Sequence, residues 1–217
     1  NAAPTPGDRE VEKSLGDDAE TPLSLEEHQE FRTAAGIGQY LAGDRVDIRY
    51  SVKELLRDAN KATNATKAKG KRLARYLSGA KRWVNHYRWQ EKKTHVNSYC
   101  DADHAGCPKT RRSTTGIIVR IGSHSIFEVS FTQVLIALSS GESELYAIVR
   151  ACIEALYVAH VAEFFRYPLK IRVLSDSAAG RGALHRLGVG KRMKHVDTQH
   201  LFVQQLIAKN KVELDPV

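Results

Sequence analysis

The feature that most constrains this chain's fold is a change of hydrophobic period near residue 83. Before it, apolar residues recur at helical spacing; after it they alternate, as in half-buried strands. Ser24 followed by Glu27 fits a capping box and predicts a helix start there, with Phe31, Ala34, Ala35, Ile37, Tyr40 and Leu41 as its stripe and Gly43 as its stop. A second helix is expected after Asp47, through Ile48, Val52, Leu55 and Leu56. A third runs from Thr66 to Leu77, with Leu73, Tyr76 and Leu77 inward and Gly79 at its end. Trp83 to Trp89 alternates. Val96–Asp101, Thr115–Ile121 and Ser125–Phe131 read as short strands, the last two joined by a Gly122-Ser123 hairpin turn. A long helix follows from Gly141 to Phe165, then a buried strand from Lys170 to Ser175 and a helix from Ala178 to Leu187. Gly188 and Gly190 make a loop, a helix runs from His195 to Ala208, and Lys211–Leu214 is a last strand. The order from Trp83 is three or four strands, helix, strand, two helices, strand.

Length and charge narrow the class. The chain has 217 residues with 42% hydrophobic and 27% charged, enough for one domain or two small ones with a proper core. No apolar run in the sequence approaches the ~20 residues of a membrane helix, so no membrane partner is expected. The opening Asn-Ala-Ala-Pro-Thr-Pro lacks a signal peptide's basic start and apolar centre. The first residue is not Met, which predicts a piece of something longer. Cys100, Cys107 and Cys152 form no CxxC and point to a reducing compartment. Residues 1–30 hold nine acids against two bases, and the remainder nets +15. Residues 1–23, proline-rich and acidic, read as a disordered leader. Residues 53–93 carry 13 Lys or Arg against three acids, interleaved with Trp83, Tyr87 and Trp89. Such a block is either a solvated helix face or a footprint for a polyanion; its single sign and its aromatics favour nucleic acid.

Three acids fall where a metal-dependent nuclease would need them. Asp101 closes a strand, Glu144 lies in the first turns of the long helix, and Asp176 closes the strand after it. Two strand ends and a helix start can converge at one sheet edge. Clustered carboxylates stay ionised together only beside a cation. Oxygen ligands without Cys or His select Mg²⁺ or Mn²⁺ over zinc. Each acid also has an ordinary reading: Asp101 as a turn residue, Asp176 as a helix cap, Glu144 as a favourable charge on the helix dipole.

The wider pattern resembles a known family. Residues 99–116 (Tyr-Cys-Asp-Ala-Asp-His-Ala-Gly-Cys-Pro-Lys-Thr-Arg-Arg-Ser-Thr-Thr-Gly) resemble the opening strand of the ribonuclease H domain in copia-type retrotransposon Pol polyproteins. Ser139-Ser140-Gly141-Glu142-Ser143-Glu144-Leu145-Tyr146-Ala147 is similar to that family's Ser-Ser-x-Glu-x-Glu-Tyr helix start, and Val173-Leu174-Ser175-Asp176 to its next strand. Lys194-His195-Val196-Asp197 resembles its Lys-His-Ile-Asp, and residues 31–80 resemble the end of its reverse transcriptase. Each motif alone is weak; four in order are specific.

The resemblance implies a ribonuclease H-like α/β fold over residues 93–217, a mixed sheet with helices on both faces, truncated or not at its C-terminus. Residues 24–92 would be a small, mostly helical, basic module. Its implied activity is two-metal hydrolysis of the RNA strand of an RNA–DNA hybrid, with Asp101, Glu144 and Asp176 as catalytic metal ligands. Asp197 is the candidate fourth, weighed evenly against an exposed helix-start acid. Glu142 is then a neighbour, and Asp103 belongs to the motif without holding metal. Lys67, Lys69, Lys71, Arg72 and Arg75, with Arg111, Arg112 and Lys194, are the candidate nucleic-acid contacts; Lys191 and Arg192 flank the last of these. Partners would be the hybrid and the rest of the polyprotein. The location would be intracellular, in a cytoplasmic particle or the nucleus, without secretion. The polymerase's Asp-Asp motif is absent, so no synthesis is expected. Departures include His104 where the family has Trp, Glu128-Val-Ser-Phe-Thr-Gln in place of an aromatic, Lys-rich strand, and Leu145 between Glu144 and Tyr146. The rivals are a catalytically dead hybrid-binding module and, less fitting, an integrase-like strand-transfer enzyme. A zinc site at Cys100, His104 and Cys107 lacks a fourth ligand, and His195 reads first as structural.

Overall fold

The computed structural model describes residues 2–7, 15–107, 109–188, 194–196 and 198–217. It divides into two compact units, Asn1–Asn85 and His86–Val217. The first is helical: α1 (Leu25–Leu41), α2 (Arg49–Arg57) and α3 (Asn64–Gly79). The capping box at the start of α1 is present. The Ser24 hydroxyl accepts the Glu27 N–H at 3.3 Å, and the Glu27 carboxylate accepts the Ser24 N–H at 3.2 Å. Phe31, Ala35, Ile48, Val52, Leu55 and Leu73 form the core. Asp47 ties the unit together, accepting from Arg45 at 2.7 and 2.9 Å and from the Tyr76 hydroxyl at 2.7 Å. The acidic leader carries structure where it is described. Gly16–Glu20 form a 3-10 turn, Pro22 bridges to Thr63, and the Ala3 N–H donates to the Arg75 carbonyl.

Residues 81–93 belong to no helix or strand. The alternation of Trp83, Tyr87 and Trp89 therefore marks no strand, because no neighbouring strand pairs with it and their rings lie in solvent.

The second unit is a five-stranded mixed sheet in the order β3-β2-β1-β4-β5. The strands are β1 (His95–Asp103), β2 (Thr114–Ile121), β3 (His124–Thr132), β4 (Lys170–Leu174) and β5 (Val212–Asp215). β1, β2 and β3 pair antiparallel; β4 runs parallel to β1 and β5 parallel to β4. The β2–β3 turn is the expected Gly122-Ser123, with Gly122 at φ 61°, a conformation glycine adopts without strain. The helices are α4 (Ser140–Phe164), α5 (Ala178–His185) and α6 (Phe202–Ala208), α6 following a 3-10 turn at Thr198–Leu201. The last helix thus begins later than the sequence pattern predicts.

The core lies on one side of this sheet. Val96 and Cys100 on β1, Ile117 and Val119 on β2, Ile171 and Val173 on β4 and Val212 and Leu214 on β5 are all buried against α4–α6. The opposite face carries Asn97, Tyr99, Arg120, Glu128, Arg172 and Glu213, with Arg172 bonded to Glu213 at 2.8 and 3.0 Å. The expectation of helices on both faces is therefore not met by the described helices. The second face mixes charged and polar side chains with a partly exposed row of Ile118, Tyr99 and Leu174, and the fully buried strand residues all lie on the first. α4 is long and apolar enough to cross a membrane by length and composition, more than the sequence reading allowed, and half of that stretch is buried inside the protein.

Because Leu145 is fully buried under the sheet, Leu145→Ala should cost about 2–5 kcal/mol in urea unfolding. Tyr157→Ala, on the exposed side of the same helix, should stay within about 0.5 kcal/mol. Equal losses would mean that α4 does not pack as described.

Candidate metal centre

Asp101, Glu144 and Asp176 each present a carboxylate oxygen, and these oxygens lie within 4.8 Å of one another. Three elements deliver them. Asp101 lies near the C-terminal end of β1, paired across to Gly116. Asp176 follows β4. Glu144 lies in the second turn of α4. The ordinary roles open to these acids are filled by other residues. Ser177 caps α5, its hydroxyl accepting the Gly180 N–H at 3.0 Å. Ser139 caps α4, accepting the Glu142 N–H at 3.2 Å. Asp101 sits inside a strand that runs on to Asp103, outside any turn.

Close helix packing places Glu144. A Cβ on Gly180 would stand 2.9 Å from Ile148 Cδ1 and 3.3 Å from Glu144 Cβ, so glycine lets α5 approach α4 at the acid. The Ala102 N–H donates to Glu144 Oε1 at 3.3 Å, while Glu144 Oε2 is buried with no hydrogen-bond partner. Burial, then the charge of Asp101 and more weakly that of Asp176, push the Glu144 carboxyl up to about 7 against the Ala102 hydrogen bond. Burial, then the charges of Glu144 and Asp101, push the Cys100 thiol up to about 12. Cys100 turns inward toward the Leu174 carbonyl, at 3.6 Å, and Cys107 is also buried. Neither joins a metal-capable group among the described residues.

Other expected residues spread more widely. Asp103 lies under Gly106, where a Cβ would fall 2.1 Å from its carboxylate, and it stands outside the acidic group. Arg111 and Arg112 are exposed in the β1–β2 connection, Arg111 with φ 56°. Lys194 is exposed in a turn. On α3, Lys71 and Arg75 are exposed, Lys67 pairs with Glu27, and Arg72 donates to the Thr5 hydroxyl at 2.9 Å; Lys69 is half-buried on the same helix. Asp197, Lys191 and Arg192 lie outside the described residues.

Glu142 does more than stand beside Glu144. It is 2% exposed, and its carboxylate accepts from the Leu138 N–H at 3.0 Å and the Tyr146 hydroxyl at 2.7 Å and pairs with His195 Nε2 at 2.9 Å. Burial raises its pKa, but the hydrogen bonds from His195, Tyr146 and Leu138 and the His195 charge outweigh burial and hold it below the usual value. It joins the start of α4 to the segment carrying His195. Its spacing from Ser139, that of a capping box, was the available signal.

No family model matches the chain. An uncharacterised mitochondrial protein of Arabidopsis thaliana, AtMg00810, is 36% identical over 121 residues, covering 55% of this chain and 49% of that protein. The retrovirus-related Pol polyproteins from transposons RE1 and RE2 of the same plant are 28% and 27% identical, each over 84% of this chain and 13% of the polyprotein. Solved structures similar to part of the chain include LC11-RNase H1 from compost (TM-score 0.40, 13% identity, 57% of this chain and 84% of that one). Native prototype foamy virus protease-reverse transcriptase is another (TM-score 0.41, 12% identity, 72% and 24%). The chain spans about half the length of the mitochondrial relative and a small part of each polyprotein. By sequence it is similar to the retrovirus-related Pol polyproteins from transposons RE1 and RE2, matching 13% of their length.

Proposed function

We propose that this chain is a metal-dependent endonuclease that hydrolyses the RNA strand of RNA–DNA hybrids, working inside the cell within a retrotransposon reverse transcriptase polyprotein. Residues 93–217 would carry the nuclease, and residues 24–92 would serve as the basic module before it. The observation that carries the proposal is the convergence of Asp101, Glu144 and Asp176. Three carboxylates so close repel one another unless a cation neutralises them. The donor set, all carboxylate oxygen with Glu144 Oε2 buried and unpartnered, fits a hard divalent ion. Mg²⁺ or Mn²⁺, as two ions, would supply an activated water and charge neutralisation at the leaving oxygen.

The chain's own residues do the holding and orienting. Asp101, Glu144 and Asp176 would hold the ions, with Asp197 as the proposed fourth acid. Arg111, Arg112 and Lys194, with Lys67, Lys69, Lys71, Arg72 and Arg75, grip the phosphate backbone with little sequence preference and a steep salt dependence. The ribose 2′-hydroxyl separates RNA from DNA, so the surface around these acids would have to contact it.

Labelled hybrid incubated with the chain should be cut when Mg²⁺ is added and should stay whole in chelator. Asp176→Asn should reduce cutting to background, at least about 100-fold, with hybrid binding and melting temperature kept. Retention of intact hybrid by the wild-type chain in Mg²⁺ would instead make it a dead binding module.

A second prediction concerns pH in the absence of cation. The Glu144 carboxyl stands at about 7 in the folded chain against 4.5 ordinarily. The folded state therefore binds the proton more tightly than the unfolded state. This group's favourable contribution is complete below about pH 4.5 and is lost as pH rises through about 7. In chelator at about pH 8, Glu144→Gln should be more stable than wild type by on the order of 1–3 kcal/mol after solvent screening. The difference should vanish near pH 4.5 and shrink when Mg²⁺ is added. A variant no more stable at pH 8 would show that the carboxylates do not strain one another.

A further inference from the structure

Residues 81–93 run without helix or strand, and the part that belongs to the second unit, from His86 on, is held by hydrogen bonds. Gln90 reaches into the β2–β3 turn. Its amide donates to the Ile121 carbonyl at 2.8 Å, and its Oε1 accepts the Ser123 N–H at 2.9 Å and hydroxyl at 3.1 Å. The fit is close enough that a Cβ on Gly122 would fall 2.2 Å from Gln90 Oε1. His124 Nε2 meets the Arg88 carbonyl at 2.6 Å, and its ring lies edge-on to Tyr87 with centroids 5.3 Å apart. The Tyr87 hydroxyl donates to the Ser125 carbonyl at 3.3 Å. At the far end, the Tyr167 hydroxyl accepts the Lys93 N–H at 2.8 Å and donates to its carbonyl at 2.7 Å, and Lys92 stands 5.1 Å above the Tyr167 ring.

Between these clamps Trp89 is 88% exposed and Tyr87 60% exposed. A tryptophan left in water forgoes a large apolar burial, and the hydrogen bonds on either side hold its backbone in place. The charge around it is nearly all of one sign. Arg88 and Lys92 are exposed on the segment and Arg120 on the adjoining strand, Lys93 is half-buried, and Glu91 is the one acid between His86 and Lys93.

We infer that His86–Lys93, clamped across the Gly122-Ser123 turn, is a stacking ledge for single-stranded nucleic acid, with Trp89 as the base platform and Arg88, Lys92 and Arg120 as the phosphate contacts. Stacking on an exposed ring accepts any base, and the cations follow the strand. A duplex keeps its base faces covered and cannot use the ring. The ledge is separate from the acids: the turn lies at the Val96 end of β1, where Ile121 pairs with Val96, roughly 17 Å along the strand from Asp101. It goes beyond the nuclease reading and holds whether or not the acids cut.

The chain has two tryptophans, so Trp83→Phe leaves Trp89 as the sole reporter. Titrating this full-length variant in chelator with oligo(dT) of about twenty nucleotides should quench Trp89 emission. A blunt DNA duplex of equal length should bind without quenching it. Trp89→Ala should weaken oligo(dT) binding at least about fivefold, equally at low and high salt, and leave duplex binding unchanged. Trp89→Phe should recover most of the loss, which an effect on folding would not allow. Unchanged emission at saturating oligo(dT), or equal affinity of Trp89→Ala and wild type for both probes, overturns the assignment and leaves the ring to a protein partner. Since no metal is present and nothing is cut, an inactive acid site would not alter these readings.

Discussion

Parallel pairing of β1 with β4 is the constraint on which the rest depends. Tyr99 stands opposite Leu174 in that register, so two further residues along each chain bring Asp101 and Asp176 to equivalent places. A slip of one residue would turn one acid to the other face. Parallel neighbours need a crossover, and α4 provides it. The same helix that makes the pairing possible carries Glu144 past the ends of both strands. Fold and site are thus one geometric solution: the buried alternation of Val96, Ile171 and Val173 fixes the register, and the register fixes the acids.

The price is electrostatic. A half-buried Glu144 faces two carboxylates, with one oxygen unpartnered. The protein keeps the surroundings stiff. Gly180 admits α5 against α4, Ser139 and Ser177 satisfy the helix starts, and Glu142 ties Leu138, Tyr146 and His195 together. Mutually repelling carboxylates held in a well-satisfied frame are compatible with binding a divalent cation.

Much of this was legible in the sequence. The strands of the second unit, the Gly122-Ser123 turn, the long α4 and the three acids follow from period, turn chemistry and motif. What was illegible has physical reasons. Alternation at Trp83–Trp89 looks like a strand because period alone does not say whether a neighbour pairs with it. The one-sided packing of α4–α6 depends on which face of each strand is apolar across the whole sheet, a property of register. The role of Glu142 depends on His195, 53 residues away, which no local pattern reveals. The basic stretch on α3 shows charge, while the ion pair of Lys67 with Glu27 appears only once α1 and α3 pack.

The most direct test of the central claim is a crystal of this chain soaked in Mn²⁺ and read by anomalous scattering. Manganese should bond to carboxylate oxygens of Asp101, Glu144 and Asp176 together. A saturated crystal with no manganese there, or with the three carboxylates too far apart to share an ion, would contradict it.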